Sequence, residues 1–161
     1  MKPFLALSLT TLVLLTSVSN IASAQTTLTV THGPVPTPTY IDLGAPGDSA
    51  GDQRIWEFDG RTSDQESVVT DWIMTTTGQG QQISDMERRV TLGVFSFGAD
   101  GKDTIMLQGI GLYPMTGSTL KSSAVLERAV IGGTGKYAGA IGTVTSTHFD
   151  DDRWQHVFNL Q

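Results

Sequence analysis

The chain has 161 residues, no cysteine, 10 basic and 16 acidic residues, and a formal net charge of −6 at pH 7. The lack of cysteine excludes disulfide staples, thiol nucleophiles and cysteine-bound zinc or iron–sulfur sites. The negative charge makes nucleic acid and anionic membranes poor partners and favours solubility.

The first 24 residues have the pattern of a signal peptide. Lys2 gives a positive start, Phe4–Val18 is an apolar run, and Ala22-Ser23-Ala24 is a small-residue cleavage site. The run is short for a membrane span and contains several Ser and Thr residues, although an uncleaved anchor is the alternative. We therefore expect a secreted or periplasmic protein, with a signal peptide over 1–24, one domain over 25–161 and no membrane contact after cleavage.

From residue 25 onward, the sequence predicts strands rather than helices. Apolar and β-branched runs alternate with Gly, Asp and Pro, which is typical of an all-β sandwich or barrel. The Pro-rich segment Gly33–Pro38 cannot pair as a central strand and is expected to be an extended crossing segment. The predicted strands are Thr27–Thr31, Thr39–Leu43, Gln53–Phe58, Ser67–Thr76, Glu87–Phe97, Asp103–Leu112, Ser123–Ile131, Ala140–Phe149 and Trp154–Leu160.

Between the seventh and eighth predicted strands, Val130–Gly142 contains five glycines in thirteen residues. This density indicates positive φ angles or close approach of neighbouring backbone. Gly135-Lys136 is similar to the end of a phosphate-binding loop, but Val130 and Tyr137 occupy the positions that require Gly and Ser or Thr. We therefore expect a tight strand junction over Gly132–Gly142.

This run resembles a signature of the allene oxide cyclase and dirigent barrel superfamily, Val-x-Gly-Gly-Thr/Ser-Gly-x-Phe/Tyr-x-x-Ala-x-Gly. Four shorter segments resemble family motifs in the same order along the chain: Thr37–Tyr40, Ser49–Asp52, Ile105–Gly109 and Gly117–Leu120. The resemblance implies an eight-stranded antiparallel closed β-barrel of calycin-like type, often trimeric, that acts without a cofactor. An eight-stranded barrel has an interior just wide enough for side chains or one small ligand.

The family's catalytic residues are not retained. Aligned through Thr37-Pro38, the first-strand Glu and Asn of the plant cyclases fall on Thr29 and Thr31. The cyclase pocket Asn and Cys fall on Phe58 and Thr76, and the dirigent Arg of Ala-Arg-Gly falls on Ile141. The resemblance therefore implies the scaffold, and function has to be argued from the site.

Strand parity predicts which side chains face the interior, because alternate residues of a strand share a face. Gly109 and Gly111 remove interior volume, which favours a pocket, and a filled core is the alternative. An interior that is aromatic with few polar groups suits a small apolar ligand. The predicted ligand-binding residues are Trp56, Phe58, Trp72, Met74, Thr76 and Tyr113.

Histidines and acidic loops are the remaining candidate sites. In the last hairpin, a four-residue loop would place Thr147 opposite His156, so that His148 faces the other side. With His32 on the first strand's exit, a three-histidine metal site is not expected. The acidic loop containing Asp42, Asp48 and Asp52 lacks EF-hand spacing, and turn formation is the expected role of its carboxylates and of Asp150–Asp152.

Three functions remain open. The first is an enzyme-like barrel, an isomerase, cyclase or dirigent-type auxiliary, that confines a reactive polyene, epoxide or quinone methide and steers its cyclisation or coupling. The second is a non-catalytic exported binder of a small apolar molecule, and the third is a structural barrel with a filled core. Whether the chain is an enzyme is left open, no metal is expected, and a homo-oligomer is implied only by the resemblance.

Overall fold

The computed structural model describes residues 25–79 and 83–161, so the predicted signal peptide lies outside the described residues. The strands are β1 Thr26–His32, β2 Thr39–Ile41, β3 Gln53–Thr62, β4 Ser67–Gln79, β5 Met86–Phe97, β6 Asp103–Pro114, β7 Val125–Thr134, β8 Gly142–His148 and β9 Trp154–Leu160. A single 3₁₀ turn, Gly135–Tyr137, joins β7 to β8. Among the described residues, no helix is long and apolar enough to cross a membrane.

These strands form one closed antiparallel sheet. The order is β1-β9-β8-β7-β6-β5-β4-β3-β2, and the pairing of β1 with β3 closes eight strands into a barrel. The short β2 pairs with the first residues of β3, so it continues along the edge that β1 leaves free. The extended Pro-rich segment lies between β1 and β2 without pairing, as predicted. The all-β fold and the eight-stranded closed barrel are thus confirmed.

Antiparallel pairing gives the barrel two distinct ends. At one end, which we call the glycine end, lie the connections β3–β4, β5–β6 and β7–β8. The interior near this end is packed with apolar side chains, including Phe97, Ile105, Leu107 and Val144, each at most 1% exposed. The other end, which we call the cavity end, carries the connections 33–38, 42–52, 115–124 and 149–153.

The glycine run forms the tight junction that the sequence predicts. Gly135 has a φ of +57°, and Tyr137 packs its ring against Phe97 at a centroid distance of 4.8 Å. Gly133 has no positive φ, but a Cβ atom there would lie 2.5 Å from the Tyr137 carbonyl oxygen and 2.6 Å from that of Thr104. The run therefore closes the glycine end of the barrel.

The predicted register of the last hairpin is wrong by one residue. His148 lies opposite Trp154 and Ser146 lies opposite His156. The connection has five residues rather than four, because Phe149 donates its N–H to the Arg153 carbonyl (2.8 Å) and Asp152 takes a φ of +60°. Since side chains alternate along a strand, this one-residue change turns His148 to the same interior face as His156.

Candidate functional site

The cavity end holds a small, partly open cavity beside its loops. Its free volume is about 30 Å³, which is enough for roughly one water molecule. Val35, Thr119 and Leu120 close it from the connecting segments, and the other lining residues come from the strands. These are His32, Trp56, Phe58, Trp72, Met74, Tyr113, Arg128, Ser146, Trp154 and His156.

The structure brings five of the six predicted ligand-binding residues to this cavity. They come from β3, β4 and β6, and they are Trp56, Phe58, Trp72, Met74 and Tyr113. Thr76 is buried on the same face but does not line the cavity, because Arg54 occupies the space beside it and donates to its hydroxyl at 3.2 Å. Whether the five residues bind a ligand stays a prediction.

The expectation of an interior with few polar groups is wrong. His32, Arg128, Ser146 and His156 line the cavity, and each is at most 9% exposed. Parity on β3, β4 and β6 does not reveal these polar residues. On β7, Arg128 lies two residues before the apolar Val130, so alternation along that strand is the sequence signal that places Arg128 inside.

The cavity's polar groups form a directed chain of hydrogen bonds. A carbonyl oxygen only accepts, so His32 donates from Nδ1 to the Gly33 carbonyl (2.7 Å). In neutral His32, Nε2 therefore accepts from Nε2 of His156 (3.0 Å). Nδ1 of His156 then accepts from the Ser146 hydroxyl (2.8 Å), whose oxygen accepts from Arg128 (3.3 Å).

Both histidines of this chain are held neutral. Burial, together with the nearby His148, lowers the pKa of His32 to about 4, although its hydrogen bond to Gly33 opposes the shift. Burial lowers the pKa of His156 well below its usual value, and His32 and Arg128 add to the effect. All three histidines are buried on the interior face, contrary to the sequence prediction, and His32 and His156 contact each other. The described residues contain no cluster of metal-ligating side chains.

Arg128 packs over Gly109 of β6, and Leu126 and Tyr113 pack over Gly111. A Cβ atom on Gly109 would lie 2.8 Å from Cγ of Arg128, and one on Gly111 would lie 2.6 Å from Leu126 and 2.8 Å from Tyr113. The glycines therefore make room for neighbouring side chains, and the expectation that they open a pocket is wrong. Arg128 donates to the Tyr113 hydroxyl (2.5 Å), and its guanidinium lies 5.6 Å from the Trp72 ring centre.

A second charged group fixes the loop over the cavity. Glu87 binds Arg89 (2.5 Å) and Arg54 (3.2 Å), and Arg54 also pairs with Asp48 (3.1 Å). Arg89 donates to the carbonyls of Gly117 and Ser118 at 2.7 and 2.6 Å, in the 115–124 connection. The buried charges thus hold this loop above the cavity.

The acidic loop between β2 and β3 is a structural turn. Asp52 accepts from the backbone of Ser49 (2.6 Å) and Leu43 (2.9 Å) and from the Tyr40 hydroxyl (2.7 Å). Burial of Asp52 would raise its pKa, but these hydrogen bonds outweigh burial and lower the pKa to about 2. The carboxylate organises this loop as expected.

The positions aligned with the family's first-strand residues lie on the outer face. Val30 and His32 are the buried residues at this end of β1, so Thr29 and Thr31 point away from the interior. Ile141 is also 54% exposed. The residue of β1 that faces the cavity is His32, which is next to Thr31 in the chain. The alignment through Thr37-Pro38 does not identify His32.

Comparison with known proteins shows the fold. No family model matches the sequence, and no curated protein matches it. A pyocyanin demethylase structure is similar with a TM-score of 0.61 and 19% identity, covering 86% of this chain and 100% of that one. A pterocarpan synthase dirigent protein is similar with a TM-score of 0.54 and 18% identity, covering 91% of this chain and 94% of that one. The chain therefore has the dirigent-like barrel fold that the sequence resemblance implied.

Proposed function

We propose that this protein is an exported barrel that binds one small, largely apolar molecule at its cavity end and steers the reaction of that molecule by confinement. The observation that carries the proposal is the cavity itself, which three tryptophans line beneath a fixed loop. Aromatic walls with a few placed polar groups are usual for small-molecule sites. The two similar structures, one named for pyocyanin demethylation and one for pterocarpan synthesis, support a small organic ligand.

The size of the cavity sets a condition on binding. Free space of about 30 Å³ is too small for an aromatic ring, so a ligand has to displace side chains at the mouth. Val35, Thr119 and Leu120 are the lining residues that come from connecting segments rather than from paired strands. We expect Val35 to move when a ligand enters, because it lies in the unpaired Pro-rich segment. Arg89 and His148 hold the backbone carbonyls of Ser118 and Leu120, so Thr119 and Leu120 should move less.

Binding is tested with 4-nitroanisole, a neutral aromatic probe that quenches tryptophan emission. Saturable quenching at one molecule per barrel is expected. Trp72→Ala should weaken it, whereas Phe149→Ala, which removes a half-buried aromatic ring outside the cavity, should leave it unchanged. If Trp72 is part of a filled core, its truncation costs about 3–5 kcal/mol of stability. If Trp72 instead lines a binding site, Trp72→Ala should cost less stability than in a filled core, and the affinity for 4-nitroanisole should fall.

The filled core is the second candidate function, and the small free volume favours it. A large loss of stability in Trp72→Ala with no quenching by the probe would establish the filled core and reject the binding proposal. A coupling reaction of a chemically generated quinone methide, run with and without the protein, distinguishes control of the product's stereochemistry from ligand binding alone. An enantiomeric excess that depends on the protein indicates steering, and a racemic product indicates retention.

Export is tested separately. We expect the secreted protein to begin at Gln25, after the small-residue site Ala22-Ser23-Ala24. N-terminal sequencing of the protein recovered from the medium or periplasm measures this directly. Retention in the cytoplasm with Met1 intact would reject the export part of the proposal without affecting the binding part.

A further inference from the structure

Two side chains that line the cavity carry buried N–H donors without an acceptor in the part of the chain that the structure describes. Nε of Arg128 and Nε1 of Trp72 are buried without a hydrogen-bond partner among the described residues, and both side chains line the cavity. Arg128 is 3% exposed and Trp72 is 4% exposed. Buried donors are normally paired, so two unpaired ones beside the same cavity show that the described protein groups leave a place for an acceptor.

The hydrogen-bond chain explains why the protein itself does not supply that acceptor. Ser146 already accepts from Arg128 and donates to His156, and both ring nitrogens of His156 are in use. The Tyr113 hydroxyl accepts from the far side of the same guanidinium. No lining residue carries a carboxylate, so the cavity offers Arg128 no anionic acceptor from the described chain.

Charge leads to the same conclusion. Arg54 and Arg89 have Glu87 and Asp48 as ion-pair partners, whereas no carboxylate of the described residues lies within 4.0 Å of Arg128. An isolated buried cation is costly unless something neutralises it. The Trp72 ring face next to the guanidinium offsets only part of that cost.

We propose that the molecule bound in this cavity carries an anionic oxygen, a phenolate or a carboxylate on an aromatic body, which Arg128 and Trp72 recognise. This inference rests on the proposed function and narrows its ligand from an apolar molecule to an amphipathic one. The aromatic body contacts the tryptophans, and the oxygen accepts from Nε of Arg128 and Nε1 of Trp72. Because hydrogen bonds that involve charged groups are stronger than neutral ones, the site should bind the deprotonated ligand about ten- to a hundredfold more tightly than the protonated ligand.

The test uses 4-nitrophenol, whose phenol and phenolate forms absorb at different wavelengths, with 4-nitroanisole as the matched probe that cannot ionise. In the intact protein, the bound nitrophenol should titrate about one to two pH units below the free compound, because the site prefers the phenolate. Arg128→Met should abolish that shift, and nitroanisole, which cannot ionise, reports separately whether the variant still binds an aromatic body. Arg61→Met removes an exposed arginine and serves as the control, with the shift retained.

Each result decides the question. Binding of nitroanisole without a shift for nitrophenol would overturn the anionic-oxygen inference and leave the proposed function standing. Failure of both probes to bind would overturn the proposed function and the inference with it. If Arg128→Met does not fold, Trp72→Phe removes the indole donor together with part of the ring, and nitroanisole binding measures the lost ring contact separately. An unchanged shift in that variant would overturn the role of Trp72. A shift retained in Arg128→Met means that another cation binds the phenolate, which overturns the inference.

Discussion

The buried His32–His156 pair predicts a specific loss of stability in acid. His32 has a pKa of about 4 in the folded protein, against 6.5 for an unperturbed histidine. The unfolded chain therefore takes up a proton near pH 6.5, whereas the folded chain does not. The stability that neutral His32 provides is fully present above pH 6.5 and is lost as the pH falls toward 4. By linkage, His32 alone lowers the free energy of unfolding by roughly 2 kcal/mol between pH 7 and pH 5.

The perturbation is His32→Gln, whose amide oxygen can still accept from His156 but does not titrate. Urea unfolding followed by tryptophan emission gives the free energy of unfolding at pH 7 and pH 5. We expect the wild type to lose about 2 kcal/mol more than the variant over this interval. His148→Gln is the matched control, because it removes another interior histidine and leaves the His32–His156 hydrogen bond in place. It should retain most of the His32 contribution, since burial is the largest cause of the lowered pKa of His32.

Equal losses in wild type and His32→Gln would refute the argument, because His32 would then be protonated as easily in the folded chain as in the unfolded one. His156 adds a loss of the same sign, since its pKa is lowered well below the usual value. Burial is the largest cause of that shift and is retained in the variant, so most of the contribution cancels in the comparison. The carboxylate of Asp52 has a pKa of about 2 and affects stability only at lower pH.

The remaining predictions concern the glycine end, the charged group and the chemistry. Gly135→Val should lower the free energy of unfolding in urea by about 1–3 kcal/mol, because a residue with a left-handed backbone gains a β-branched side chain. The control Gly33→Val, at an open position with ordinary φ, should cost much less. Equal costs in the two variants would contradict this explanation. Glu87→Gln should cost about 3–5 kcal/mol in the same assay, because it leaves the buried Arg54 and Arg89 without their shared carboxylate. A change below about 1 kcal/mol would show that these ion pairs do not hold the 115–124 connection. The protein should show no enantioselective conversion of a fatty-acid allene oxide, because no carboxylate lines the cavity in the described chain; such conversion, followed by chiral chromatography, would prove otherwise.

The strands and the barrel could be predicted because their signals are local. Alternating apolar residues and turn-forming Gly, Asp and Pro mark all nine strands in the sequence, with differences mainly at their ends. The glycine junction was also visible, since a left-handed residue such as Gly135 favours glycine whatever lies around it. Parity then placed Trp56, Trp72 and Met74 on one interior face.

The polar half of the site was decided by the tertiary structure. One residue in the loop after His148 sets the register of β9 and determines which histidines meet, and the sequence does not state the length of that loop. The contact of Arg128 with Ser146 and Tyr113 joins three strands that are separated by turns. Local sequence fixes which residues form strands and which of them share a face. The partners of a buried charge depend on closing the barrel, because only closure brings β1, β6, β8 and β9 around a single cavity.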